Sequence, residues 1–167
     1  FGYEVAAAGD VDGDGYDDVL VGAPQYGINN LSSATGAVYL YRGSATGLSA
    51  APDWTVFSPP TGSNYGDAVA GAGDVNDDGY DDILIGNGDY DAAVGGEGAA
   101  FLYFGGASGP GLTADWEYIS RQAGSSVGAD IASAGDVNDD GYDDIIVGAR
   151  HFKVQFANEG GALLFLG

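Results

Sequence analysis

Cysteine and methionine are both absent from this 167-residue chain, and histidine occurs once. Without cysteine there is no disulfide framework and no thiolate metal site. Without a second histidine there is no zinc centre built on paired imidazoles, and a Ser-His-Asp arrangement has only His151 to use. That residue stands beside Arg150 and Lys153 and reads as a surface histidine. The sole lysine follows no glycine-rich loop, so a phosphate-cradling loop is excluded as well. Cations are scarce throughout: Arg42, Arg121, Arg150 and Lys153 stand against 25 Asp and Glu, for a net charge of −21. A field of that sign repels nucleic acid and anionic membrane. No apolar run approaches the roughly 20 residues of a membrane span, and no signal-peptide pattern is present. The missing initiator methionine leads us to expect a processed or truncated start.

The acid that is present is concentrated. Segments 10–18, 74–82 and 136–144 each hold five Asp, so fifteen of the 25 acidic residues lie in three nonapeptides. The remainder of the chain is only mildly acidic, and its aromatic residues and 45% hydrophobic content are those of a packed protein. Cations are the partner such spots call for.

Self-similarity organises the rest. The stretch Ala8–Gly22 returns as Ala72–Gly86 and again as Ala134–Gly148. Gly36, Gly98 and Gly160 keep step, as do Trp54 and Trp116. We therefore divide the chain into 1–64, 65–126 and 127–167. Each copy reads as short strands separated by Gly/Ser/Pro-rich loops. The first (Val5–Gly9, Ala68–Gly73, Ile131–Gly135) is built from small residues and is expected to be squeezed between neighbours. The second (Val19–Ala23, Ile83–Gly86, Ile145–Ala149) is an aliphatic run that reads as buried on both faces. The third (Ala37–Arg42, Ala99–Phe104, Ala162–Leu166) alternates. The fourth (Asp53–Phe57, Asp115–Ser120) surrounds the Trp, which is expected to wedge between repeats. Four strands per repeat is the pattern of propeller blades. The fold expected is all-β: a β-propeller-type array of about three four-stranded blades, the last lacking its outer strand because its Trp would fall beyond Gly167.

Numbering each acidic loop from its first Asp, positions one, three and five are Asp10, Asp12 and Asp14; Asp74, Asn76 and Asp78; and Asp136, Asn138 and Asp140. Position six is Gly, seven is Tyr16, Tyr80 or Tyr142, and nine is Asp18, Asp82 or Asp144. Alternate residues of a tight curl turn their oxygens inward, glycine at six permits the bend, and the carbonyl at seven adds a ligand. This is the chemistry of calcium, a hard ion that takes six to eight oxygens. Three calcium sites are expected, with position nine closing each shell. The flanking Asp17, Asp81 and Asp143 at position eight are expected to face solvent or cap their loop. Position twelve is Val21, Ile85 or Val147 rather than the Glu of an EF-hand, so the loop joins two strands. Plain Asx-rich turns are the competing explanation, and three copies in register weigh against it.

With Phe1-Gly2 ahead of the first loop and Val21-Gly22-Ala23-Pro24 behind it, the chain resembles the FG-GAP repeat of integrin α-subunit propellers and related bacterial surface proteins. The resemblance covers all three copies and implies calcium bound by the loops on one face of a propeller. The namesake ends decay in the later copies, to Tyr65-Gly66 with Gly86-Asn87 and to Val127-Gly128 with Gly148-Ala149. The cysteines common in animal integrin blades are missing, which points to a microbial surface protein.

These readings together describe a non-catalytic, calcium-stabilised extracellular or cell-surface module for adhesion or surface assembly, with a protein or glycan partner. The rival readings are an accessory propeller of a carbohydrate-active enzyme and a sugar-binding lectin, for which Tyr26, Tyr90 and Tyr118 would offer stacking surfaces. Asn30-Leu31-Ser32 is a glycosylation acceptor pattern. Three blades do not close a ring, so the chain is expected either to be a piece of a longer polypeptide or larger assembly, the favoured reading, or to self-associate or take a donated strand that completes the propeller or a fibre.

Overall fold

The computed structural model describes residues 1–27, 36–58, 64–156 and 159–167; the Asn30 acceptor pattern lies outside the described residues. Eleven strands occur among them: β1 (Val5–Gly9), β2 (Asp18–Ala23), β3 (Ala37–Tyr41), β4 (Trp54–Phe57), β5 (Ala68–Gly73), β6 (Asp82–Asn87), β7 (Ala99–Tyr103), β8 (Trp116–Ile119), β9 (Val127–Gly135), β10 (Asp144–Ala149) and β11 (Gly161–Phe165). No helix of the described residues is long and apolar enough to cross a membrane.

The strands form three antiparallel meanders, β1-β2-β3-β4, β5-β6-β7-β8 and β9-β10-β11. Register repeats with the sequence. Leu20 faces Leu40, Leu84 faces Leu102 and Ile146 faces Leu164. The three sheets are the expected blades, and the array is open.

Each blade docks on the next through its innermost strand. A methyl carbon added at Gly71 in β5 would lie 2.8 Å from the carbonyl oxygen of Ala8 in β1, so the small residues of the first strands are what lets two backbones approach. β6 is buried along its whole length, as an aliphatic run between two faces should be. Isolated parallel bridges, Gly36 to Tyr65 and Gly98 to Val127, join the start of a third strand to the entry of the following blade.

Apolar cores fill the space between sheets. Trp54 sits in the first, its indole N–H donating to the carbonyl of Gly111 at 2.9 Å and its ring edge-on to Tyr103. Trp116 meets Phe165 in the same way one blade on. The tryptophans are wedges between repeats, as their spacing implied. The hydroxyls of Tyr65 and Tyr103 share a 2.6 Å hydrogen bond in the buried first core.

The ends differ from the middle. Tyr65 is fully buried, whereas its equivalent in the first blade, Phe1, is 76% exposed. Leu40 and Leu102 are buried under β4 and β8, while Leu164, in a strand with no outer neighbour among the described residues, is 50% exposed.

Candidate metal centre

Each acidic loop is the connection from a first strand to a second, so all three lie along one edge of the array. The loops curl by hydrogen bonds to their own carboxylates. In the first, Asp10 accepts from the backbone N–H of Asp14 (3.0 Å) and of Gly15 (2.8 Å), and Asp14 accepts from Tyr16 (3.0 Å). The second repeats this with Asp74 accepting from Asp78 and Gly79, and Asp78 from Tyr80. In the third, Asp136 accepts from Asp140 and Gly141, and Asp140 from Tyr142. The N–H of Gly141, ahead of those of its neighbours, holds the Asp136 carboxyl below its ordinary range. The bend needs left-handed backbone at position six, where Gly15, Gly79 and Gly141 have φ of 91°, 88° and 98°.

Position four is left-handed too, and sequence reasoning passed over it. Gly13, Asp77 and Asp139 have φ of 73°, 56° and 60°. Asp is among the few side chains that tolerate this conformation, which is the signal that was available.

The geometry brings Asp10, Asp12 and Asp14 together, one carboxylate oxygen from each lying within 4.8 Å of the others. Two oxygens bound to a common ion at about 2.4 Å cannot be farther apart than about 4.8 Å, so the cluster has the right dimension for one cation. A cation already touches it: the Arg42 guanidinium lies 2.9 Å from Asp12 Oδ2. In the other loops position three is an amide, and Asn76 and Asn138 donate to Asp78 (3.0 Å) and Asp140 (2.8 Å). The donor set is all hard oxygen, which fits calcium.

The position-nine aspartates, expected to close each shell, lie deeper than the other expected ligands. Asp18, Asp82 and Asp144 are fully buried, and Asp18 stands outside the converging group. Asp18 accepts from Gly43 (2.8 Å) and Val11 (3.3 Å), Asp82 from Gly105 (2.8 Å) and Val75 (2.9 Å), and Asp144 from Gly167 (3.0 Å) and Val137 (2.9 Å). Each ties the start of its loop to the end of the third strand, and each oxygen retains a second lone pair. Burial pushes Asp82 up to about 6 against the pull of the N–H groups of Gly105 and Val75. At position seven, Tyr16 and Tyr142 are exposed and Tyr80 is half-buried over Gly13.

Position eight is corrected by the structure. Asp81 and Asp143 neither point to solvent nor cap their own loops: their carboxylates accept from the backbone N–H of Asp10 (2.7 Å) and Asp74 (3.1 Å), in the preceding blade's loop.

On the opposite edge, the second-to-third-strand connections and blade entries surround a polar cavity of about 240 Å³ lined by Tyr3, Gln25, Asn64, Asp67, Asp89 and Arg150, among others. Asp67 Oδ1 is buried there without a hydrogen-bond partner among the described residues. His151 is exposed nearby in the chain. Of the tyrosines weighed as stacking surfaces, Tyr90 is buried against Phe101 and Tyr118 packs on Phe165, while Tyr26 is exposed beside Phe57.

Comparison with known proteins agrees with this architecture. The FG-GAP repeat model matches residues 1–41 and 127–166. The chain is 35% identical over 159 residues to integrin alpha-8 of Gallus gallus, covering 89% of this chain and 15% of that protein. It is 31% identical over 163 residues to integrin alpha-PS3 of Drosophila melanogaster (93% and 14%), and 41% over 87 residues to integrin alpha-IIb of Mus musculus (52% and 8%). The chain thus spans at most 15% of the length of these relatives.

Proposed function

Because the chain belongs to the FG-GAP repeat family, we propose that it serves as a calcium-stabilised extracellular module of the adhesion or surface-assembly type, without catalysis of its own. The observation that carries this reading is the first loop, where three carboxylates converge within 4.8 Å in a curl that the other two loops repeat. The ligands would be Asp10, Asp12, Asp14, the Tyr16 carbonyl and Asp18 in the first blade. Asp74, Asn76, Asp78, Tyr80 and Asp82 would serve in the second, and Asp136, Asn138, Asp140, Tyr142 and Asp144 in the third.

Bound calcium supplies positive charge that offsets repulsion among five aspartates in nine residues. The chain's own residues do the rest. Positions one and five curl the loop through backbone N–H groups, position six allows the bend, and position nine anchors the curl to the core. On this reading the setting is extracellular, where millimolar calcium would fill loops whose affinity is on the order of 10⁻⁴ M, and the partner is a protein or glycan at the cell surface. Calorimetric titration of the chain with calcium tests the reading. Three equivalents are expected; fewer than two, or no heat above dilution, would sink it.

A further inference from the structure

We infer that the position-eight aspartates of the second and third blades, Asp81 and Asp143, are positioning residues for the metal loop of the blade before, so that calcium binding and blade docking are one coupled equilibrium. The inference rests on the calcium reading above. Asp81 grips the backbone of Asp10 from both sides: its carboxylate accepts the Asp10 N–H at 2.7 Å, and its own N–H donates to the Asp10 carbonyl at 3.2 Å. One blade on, Asp143 holds Asp74 by the same two bonds at 3.1 Å each. The residue gripped is position one, whose side chain also curls the loop.

The residue ahead of each gripped aspartate is glycine, and the structure gives a reason. A methyl carbon at Gly9 would fall 2.1 Å from Asp81 Oδ2, and one at Gly73 would fall 1.9 Å from Asp143 Oδ2. Gly135, ahead of the third loop, has open space instead. Asp17, the first blade's position-eight residue, is exposed and has no hydrogen bond among the described residues. The clamp therefore exists where, and only where, a described blade follows the loop. Blade two holds the first loop at two further points, the Gly106 N–H on the Val11 carbonyl (2.9 Å) and the Tyr80 ring over Gly13. Whatever orders the first turn of a loop also orders the surface on which the next blade sits. By linkage, docking must raise calcium affinity by the factor by which calcium favours docking.

The test isolates one loop at a time. Carrying D78N and D140N, the chain keeps the first loop; carrying D14N and D140N, it keeps the second. Calcium affinity is read by calorimetry. In the first-loop chain D81A should weaken calcium about tenfold, the scale of one charge-assisted hydrogen bond, and D17A and D143A less than about twofold. In the second-loop chain the roles exchange: D143A weakens calcium and D81A does not. D81N, whose amide oxygen still accepts the Asp10 N–H, should restore affinity in the first-loop chain. A simple charge effect predicts instead that D17A, in the same loop as the ion, costs at least as much as D81A and that D81N matches D81A. Either result overturns the clamp. Should D81A fail to fold, amide hydrogen exchange of the unaltered chain decides. Calcium should slow exchange at Asp10 and Asp74 but not at Asp136, and equal slowing at all three overturns the inference. An unaltered chain that takes up no calcium removes the calcium reading itself. One that binds calcium while D81A behaves as D17A does removes only the clamp.

Discussion

Arg42 Nη1 lies 2.9 Å from Asp12 Oδ2, and this pair is peculiar to the first blade. Position three is Asp there and Asn in the other two loops, while the residues equivalent to Arg42 are Phe104 and Leu166. The guanidinium thus brings the four expected carboxylate ligands of the first loop to the charge of the three in each of the others. Arg42→Ala should lower stability in EDTA by about 1 kcal/mol, the scale of a partly buried ion pair, and should tighten calcium at the first loop several-fold. D12N/R42F, which copies the second loop, should behave like wild type in both respects. Urea denaturation in EDTA and calcium titration measure the two effects, and a loss of affinity in R42A would refute the charge argument.

Calcium removal should destabilise the array as a whole. For a dissociation constant on the order of 10⁻⁴ M and about 2 mM calcium, linkage gives about 1.8 kcal/mol per loop, and about 5 kcal/mol for three. That is comparable to the net stability of many domains. The melting temperature should fall sharply in excess EDTA and recover on adding calcium; a melt indifferent to chelation contradicts the calculation.

Asp67 gives the opposite edge a pH dependence. Burial pushes its carboxyl up to about 6, with the N–H groups of Gly88 and Ala68 and the charge of Arg150 opposing and Asp89 reinforcing. The folded state therefore holds the proton more tightly than the unfolded chain, whose carboxyl titrates near 3.9. Stability should fall as pH rises between about 4 and 6, and the loss should be complete above that window. Asp67→Asn removes the charge, so it should exceed wild type by about 3 kcal/mol at pH 7.5 and converge with it toward pH 4. Urea midpoints in saturating calcium provide the comparison, and a pH-independent gap would exclude Asp67 as the cause.

Trp54 should be the costliest single truncation in the first core. It is buried between sheets and bonded across the blade boundary to Gly111. Trp54→Ala should cost about 3–5 kcal/mol through the cavity it leaves. Trp54→Phe, which keeps a ring and loses the N–H donor, should cost less, with about 1 kcal/mol of it from the hydrogen bond. Equal losses in the two variants would show that the ring contributes little.

Much of this was legible in the sequence because the repeat supplies three readings of each element. The aliphatic runs of β2, β6 and β10 and the alternating β3, β7 and β11 fall within a residue or so of their expected bounds. The first strand of the third blade does not: pairing of Asp130 with Gly148 and of Val127 with Ala149 extends β9 back to Val127, through small residues that carry no strand pattern. The curl of the acidic loops was legible from Asp and Gly spacing alone. The burial of Asp18, Asp82 and Asp144 was not, since their backbone partners at Gly43, Gly105 and Gly167 lie 23 to 25 positions away. The reach of Asp81 to Asp10 was hidden more deeply. It spans 71 positions, and every copy of position eight looks alike until the blades are set side by side.

A loop and the residue that grips it belong to different copies of the repeat, so the heritable module of this array is the joint and not the blade. Lengthening or shortening the array by whole repeats preserves every joint, because each copy brings a loop for the next and a grip for the last. Recombination out of phase would strand one half of each pair. A glycine ahead of one loop and the position-eight aspartate of the following copy, such as Gly9 with Asp81, should therefore be inherited together, and the loss of either should release the other to drift.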